Sequence, residues 1–344
     1  MEDFKFSKDN LAGVIGALEG YQVFAPAAVG DVVRFKTVED PSALSLDYAN
    51  TNVPAKELMF PETETLFKYT VGGADIEPVV PDETAKRLVF GIRPCDALAY
   101  TIVDNLYGWD FPDPYYQKRR ESTVLFGLAC GDPATNCFCP SLGGGPGSEK
   151  GLDAIMFDLG EAYYVKTLTD KGLTAAKAMG LEAAGDAEKK CAEAQEKEAL
   201  AKIKRSIDTT GIPEKLPSLY DHPFWEQFSD RCLGCGICTF LCPTCHCFDI
   251  QDEIEAADGR RARMWDTCMF PEYTVHTSGH NPRPTRKERT RNRVSHKYSY
   301  FPEKFDVIAC VGCGRCINYC PVNIDILDVL EKSRQAEGKE AKTA

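Results

Sequence analysis

Cys232-Leu-Gly-Cys235-Gly-Ile-Cys238-Thr-Phe-Leu-Cys242-Pro243 and Cys310-Val-Gly-Cys313-Gly-Arg-Cys316-Ile-Asn-Tyr-Cys320-Pro321 have the same spacing. Each reads C-x2-C-x2-C-x3-C-P. Two residues between cysteines let one tight loop meet successive corners of a cube. Glycines at 234, 236, 312 and 314 let the backbone approach and turn its N–H groups toward sulfur. The proline then turns the chain away, so the fourth thiol faces a neighbouring cube. This is the ligand pattern of two [4Fe–4S] clusters in which the fourth cysteine of each run crosses over. Cys232, Cys235, Cys238 and Cys320 are assigned to the first cluster, and Cys242, Cys310, Cys313 and Cys316 to the second. Zinc ribbons use two pairs of ligands, not two quartets followed by proline.

Composition narrows the class. A chain of 344 residues has room for two domains. No stretch of about 18 apolar residues exists, so no membrane span is expected. Met1-Glu-Asp-Phe-Lys5 has neither an apolar core nor twin arginines, and the protein is read as cytoplasmic. Sixteen cysteines without a secretory signal point to a reducing compartment and to metal ligation. A net charge of −12 argues against nucleic-acid binding and suits a soluble member of a complex.

The pattern predicts an α/β N-terminal domain over 1–220 and an α-helical, ferredoxin-type dicluster C-terminal domain over 221–344. Strands are expected at Gln22–Ala25, Val32–Phe35, Arg87–Gly91 and Thr123–Ala129, with a hairpin over Ala154–Leu168 turning at Leu159-Gly160. The Ala-, Glu- and Lys-rich stretch over 172–207 reads as helix, and Pro213 and Pro217 as a linker. A long insert, basic over 250–305, separates the two cysteine runs. Ile324–Gln335 reads as helix.

Four further cysteines lie in the α/β part. Cys95 and Cys130 each follow an apolar run, Leu88–Ile92 and Thr123–Ala129. If those strands are parallel neighbours, both thiols leave the sheet at its carboxyl edge, where open α/β sheets bind ligands. Cys137 and Cys139 follow in a loop. Four thiols match a third [4Fe–4S] site; the alternative is a set of small buried hydrophobes. The glycine-rich 143–151 stretch fails the phosphate-loop pattern, because Lys150 precedes glycine and not Ser or Thr. No cofactor beyond clusters is expected, and no catalytic residue is assigned.

Cys245, Cys247 and Cys268 are read as packed thiols of the cluster domain, with metal binding alongside His246 as the alternative. Cys191 is read as an ordinary thiol. Arg283–Lys297 carries five arginines and two lysines in an acidic chain. Three readings stand: charge compensation for anionic clusters, docking to an acidic carrier such as ferredoxin or to a partner subunit, and a solvated loop.

Arg93-Pro-Cys95-Asp96, Asn136-Cys137-Phe-Cys139, Cys242-Pro-Thr-Cys245-His-Cys247, Trp265-Asp-Thr-Cys268, Gly279-His-Asn281 and the second cysteine run together carry a more specific resemblance. The chain resembles the beta subunit of soluble sulfhydrogenases and the equivalent iron–sulfur subunit of anaerobic sulfite reductase. That resemblance implies an iron–sulfur subunit of a cytoplasmic hetero-oligomeric oxidoreductase. Its partners would be a flavin subunit handling NAD(P)H and a catalytic subunit of hydrogenase, sulfite reductase or heterodisulfide-reductase type. Two rivals are a chain that reduces a sulfur compound by itself and a free ferredoxin-like carrier.

Overall fold

The computed structural model describes residues 2–82 and 84–337. Its strands, in chain order, are β1 (Asp3–Ser7), β2 (Tyr21–Val29), β3 (Val32–Thr37), β4 (Thr63–Thr70), β5 (Ile76–Pro78), β6 (Lys86–Ile92), β7 (Thr123–Leu128), β8 (Ala154–Asp158), β9 (Ala162–Thr167), β10 (Glu182–Ala183), β11 (Phe248–Glu255) and β12 (Asp258–Trp265). They form two sheets, one in each of two compact units.

The first unit takes the chain up to Met59, Pro81–Arg205 and the short segment Val311–Cys313. Its sheet has the order β10-β1-β9-β8-β7-β6-β2-β3. The centre, β2-β6-β7-β8, is parallel and the flanks are antiparallel. Strands β6 and β7 are continuous apolar runs because both faces are covered; Leu88, Val89, Phe90, Leu125 and Phe126 have no exposed surface. The Ala154–Leu168 hairpin forms as expected. The expected long helix over 172–207 is instead two helices, Asp170–Ala178 and Asp186–Lys202. The break comes at Gly180, whose φ of 65° is left-handed, and strand β10 follows it.

The second unit gathers Phe60–Val80, Ser206–Cys310 and the chain from Gly314 onward. A single boundary near residue 220 is therefore corrected. Strands β4 and β5 come from early in the chain and complete the sheet β11-β12-β4-β5. This also corrects the all-helical reading of the C-terminal domain. The basic insert opens with a β-hairpin, in which Glu255 pairs with Asp258 across Ala256-Ala257. Ala256 has a φ of 55°, and the Asp258-Gly259 pair that signals a hairpin falls just past the turn, at the start of β12.

Pro213 and Pro217 do not form a linker; both lie in the helix Ile212–Ser218. Pro213 occupies the first turn, where a missing N–H costs nothing. Pro217 leaves the carbonyl of Pro213 without its helical donor. Ser299 Oγ donates to that oxygen at 2.8 Å. Ile326–Gln335 is helical, N-capped by Asp325. No described helix is long and apolar enough to cross a membrane.

Candidate iron–sulfur sites

The two cysteine runs fold alike. Gly236 and Gly314 each precede a one-turn helix, Ile237–Phe240 and Arg315–Asn318, with the same backbone angles, φ 74° and ψ −8°. The hydrogen bonds repeat as well. Thr239 and Phe240 N–H donate to Gly236 O, as Ile317 and Asn318 do to Gly314 O. Cys242 N–H donates to Thr239 O, as Cys320 does to Ile317 O. Identical spacing has given an internal repeat, with left-handed glycines at the step into each turn.

Cys232, Cys235, Cys238 and Cys320 line one cavity of about 540 Å³ of empty space, and Cys316 of the second set reaches the same wall. The fourth cysteine of the second run thus joins the first three of the first run. Gly234 N–H points at Cys232 Sγ at 3.4 Å, and Ile324 N–H at Cys320 Sγ at 3.2 Å. Two buried donors on the same wall, Thr290 Oγ1 and Arg293 Nε, have no hydrogen-bond partner among the described residues. Such donors carry a desolvation cost unless an acceptor-rich group meets them. A sulfide-bearing cube would. The fit to a [4Fe–4S] cluster is therefore chemical as well as spatial.

At the second set, Cys242 Sγ meets the ammonium of Lys297 at 3.1 Å and the Thr244 hydroxyl at 3.2 Å. A hydrogen bond from Cys245, with Lys297 and Thr244, outweighs burial and holds the Cys242 thiol well below its usual range. Burial pushes Cys316 up to about 12, against the pull of Arg293. Cys313 belongs to the segment counted with the first unit. There its carbonyl accepts from Asn50 Nδ2 at 3.1 Å and lies 3.7 Å from Cys137 Sγ, while Phe138 N–H donates to Gly312 O at 2.8 Å.

The basic stretch is mostly inside. Arg289, Arg291, Arg293 and Lys297 are all buried, on or just after the helix Arg286–Ser295. Arg286 Nη1 donates to Cys232 O at 2.5 Å, and Arg293 Nη2 to Cys238 O at 3.1 Å. Burial weakens the Arg293 cation, but the thiols of Cys238, Cys316, Cys245 and Cys242 outweigh it. The solvated-loop reading is corrected at these four positions: a buried cation needs anionic or polar partners, which the cysteine loops supply to Arg293 and Lys297, Arg283 O and Pro284 O to Arg289, and Tyr220 O to Arg291.

In the first unit, β6 and β7 are parallel neighbours, with Leu88 opposite Val124. Cys95 and Cys130 therefore both leave at the carboxyl edge. Cys95 lies in the first turn of the helix Pro94–Tyr107, 3.7 Å from Asn50 Oδ1. Arg93 braces this edge. It donates to Leu128 O and Ala129 O and lies 4.1 Å from the Tyr48 ring centre. Burial pushes the Cys139 thiol up to about 12, and the nearby thiols of Cys137 and Cys130 push the same way. The edge thus brings these thiols into one neighbourhood. Cys191 is exposed on the helix Asp186–Lys202.

Among the described residues, no group of three or more His, Cys, Asp or Glu side chains converges as around one metal ion. Ligands of a cube need not converge, since each binds its own iron.

A family model for the 4Fe-4S dicluster domain matches residues 231–324. Sulfhydrogenase 2 subunit beta of Pyrococcus furiosus is 32% identical over 318 residues, which is 91% of this chain and 92% of that protein. No solved structure matches the chain.

Proposed function

The chain belongs to the family of sulfhydrogenase beta subunits, and from that premise we propose that it relays single electrons between two other subunits of a cytoplasmic hetero-oligomer. As an iron–sulfur electron-transfer subunit it needs no acid, base or nucleophile of its own. One partner is a flavin subunit exchanging electrons with NAD(P)H. The other is a catalytic redox subunit of hydrogenase type. The clusters, when bound, supply one-electron storage.

Two [4Fe–4S] clusters are assigned to the C-terminal cysteines. Cys232, Cys235, Cys238 and Cys320 hold the first; Cys242, Cys310, Cys313 and Cys316 hold the second. The observation that carries this reading is the cavity that collects Cys320 with Cys232, Cys235 and Cys238, with Cys316 also on its wall, beside two unmatched buried donors. A third cluster is assigned to Cys95, Cys130, Cys137 and Cys139, supported by the parallel pairing of β6 and β7.

Iron and acid-labile sulfide in the anaerobically purified chain, with EPR of its reduced form, test the reading. At least two interacting reduced cubanes are expected, and Cys320→Ala should remove one. Loss of about four irons on Cys95→Ala, with the ferredoxin-type signals intact, supports the third cluster. Zinc in place of iron would overturn the whole assignment.

A further inference from the structure

Cys245, Cys247 and Cys268 are assigned as ligands in none of these sites, although Cys245 hydrogen-bonds to Cys242 of the second set. The hairpin brings them together. Phe248 pairs with Trp265, and Asp266 N–H donates to Cys247 O at 3.0 Å, so Cys268 follows two residues beyond the position opposite Cys247. Cys245 and Cys247 are spaced i, i+2 on the stretch leading into β11, a spacing that places side chains on one side of an extended chain. All three line one cavity of about 300 Å³ of empty space. Cys247 and Cys268 are in hydrogen-bonding contact.

The rest of that wall is not what packed thiols have around them. A structural cysteine behaves as a small hydrophobe among hydrophobes. Here the wall also carries the imidazoles of His246 and His296 and the buried cations Arg293 and Lys297. Two buried positive charges on the wall of this cavity favour an anionic occupant. The three sulfurs do not converge on one point, as a zinc ion binding at about 2.3 Å would require. Cys268 also packs with Cys232 and Met269, beside a ligand of the first ferredoxin-type set.

We infer that Cys245, Cys247 and Cys268 hold a further iron–sulfur cluster through three thiolates, separate from both ferredoxin-type sites and from the N-terminal thiols. His246 and His296 bring imidazoles to the same wall. The centre belongs to the second unit and adjoins both ferredoxin-type sets there, through Cys268 beside Cys232 and Cys245 beside Cys242.

The test is an iron count on the full chain, purified anaerobically, in two variants. In Cys245→Ser/Cys247→Ser/Cys268→Ser, about four irons per chain should be lost relative to the unaltered protein while the ferredoxin-type EPR signals persist. Unchanged iron overturns the inference, and so does loss of zinc alone. If that variant loses all its iron, Cys95→Ala/Cys137→Ala decides. With the N-terminal thiols removed, about twelve irons remain if this cluster is present and about eight if only the ferredoxin-type pair is; eight overturns it. Neither result depends on whether the N-terminal cluster exists, so the two assignments fail separately.

Discussion

Lys297 Nζ lies 3.1 Å from Cys242 Sγ, and both are buried. The ammonium also donates to Thr244 Oγ1 and Ala309 O, each at 3.0 Å. Burial alone would lower its pKa; the thiols of Cys242, Cys245 and Cys310 reverse that and raise it. A fixed cation against a ligand sulfur stabilises the more negative, reduced state of a cluster. Lys297→Met keeps the stem and removes the charge. It should lower the midpoint potential of one ferredoxin-type cluster by roughly 60 mV or more, a tenfold change in the one-electron equilibrium. Potentiometric EPR titration reads this directly. Unchanged midpoints would remove Lys297 from potential tuning.

Arg293 differs in serving both sets. It donates to Cys238 O and interacts with the thiols of Cys238, Cys316, Cys245 and Cys242. Arg293→Gln should therefore shift both ferredoxin-type midpoints downward, where Lys297→Met shifts one. The same titration distinguishes them. A shift confined to a single cluster would contradict the shared role.

Gly312 has a φ of 66°, and a Cβ there would meet Phe138 C and Cys139 N at 2.6 Å. Gly279 has a φ of 81° with nothing within 4 Å. Both alanine variants bear the left-handed strain of about 1–2 kcal/mol. Only Gly312→Ala must also move backbone, so its loss should exceed that figure clearly. Denaturant midpoints of the two variants, compared under anaerobic conditions, check the difference; equal losses would show that the loop yields freely.

Glu64 on β4 pairs with Arg263 on β12, and the two side chains form a buried ion pair. The Arg263 guanidinium lies 5.1 Å from the Phe60 ring centre and 5.5 Å from that of Phe248. Glu64→Ala leaves a buried charge and should cost about 3–5 kcal/mol. Glu64→Met/Arg263→Met removes both charges and should cost less than the single change. Unfolding measurements on both variants decide; a double variant worse than the single one would mean that the pair stabilises the sheet outright.

The spacing of eight cysteines and two prolines determined the iron–sulfur reading of this protein, because cluster ligation is set by short loops whose geometry is local. The parallel strands before Cys95 and Cys130 were legible for a similar reason, since a strand buried on both faces must be apolar throughout. What the sequence could not carry depended on partners far along the chain. Residues 60–80 join a sheet with 248–265 through hydrogen bonds that leave no mark on either segment alone. The hairpin between β11 and β12 turns through Ala256-Ala257, one step before the Asp258-Gly259 pair that signals it. The arginines of 283–297 left compensation, docking and a solvated loop open in sequence, and tertiary packing turns Arg289, Arg291 and Arg293 inward. Periodicity records what water would prefer, whereas only the fold shows which backbone carbonyls, of Cys238, Tyr220, Arg283 and Pro284, take the place of water around these cations.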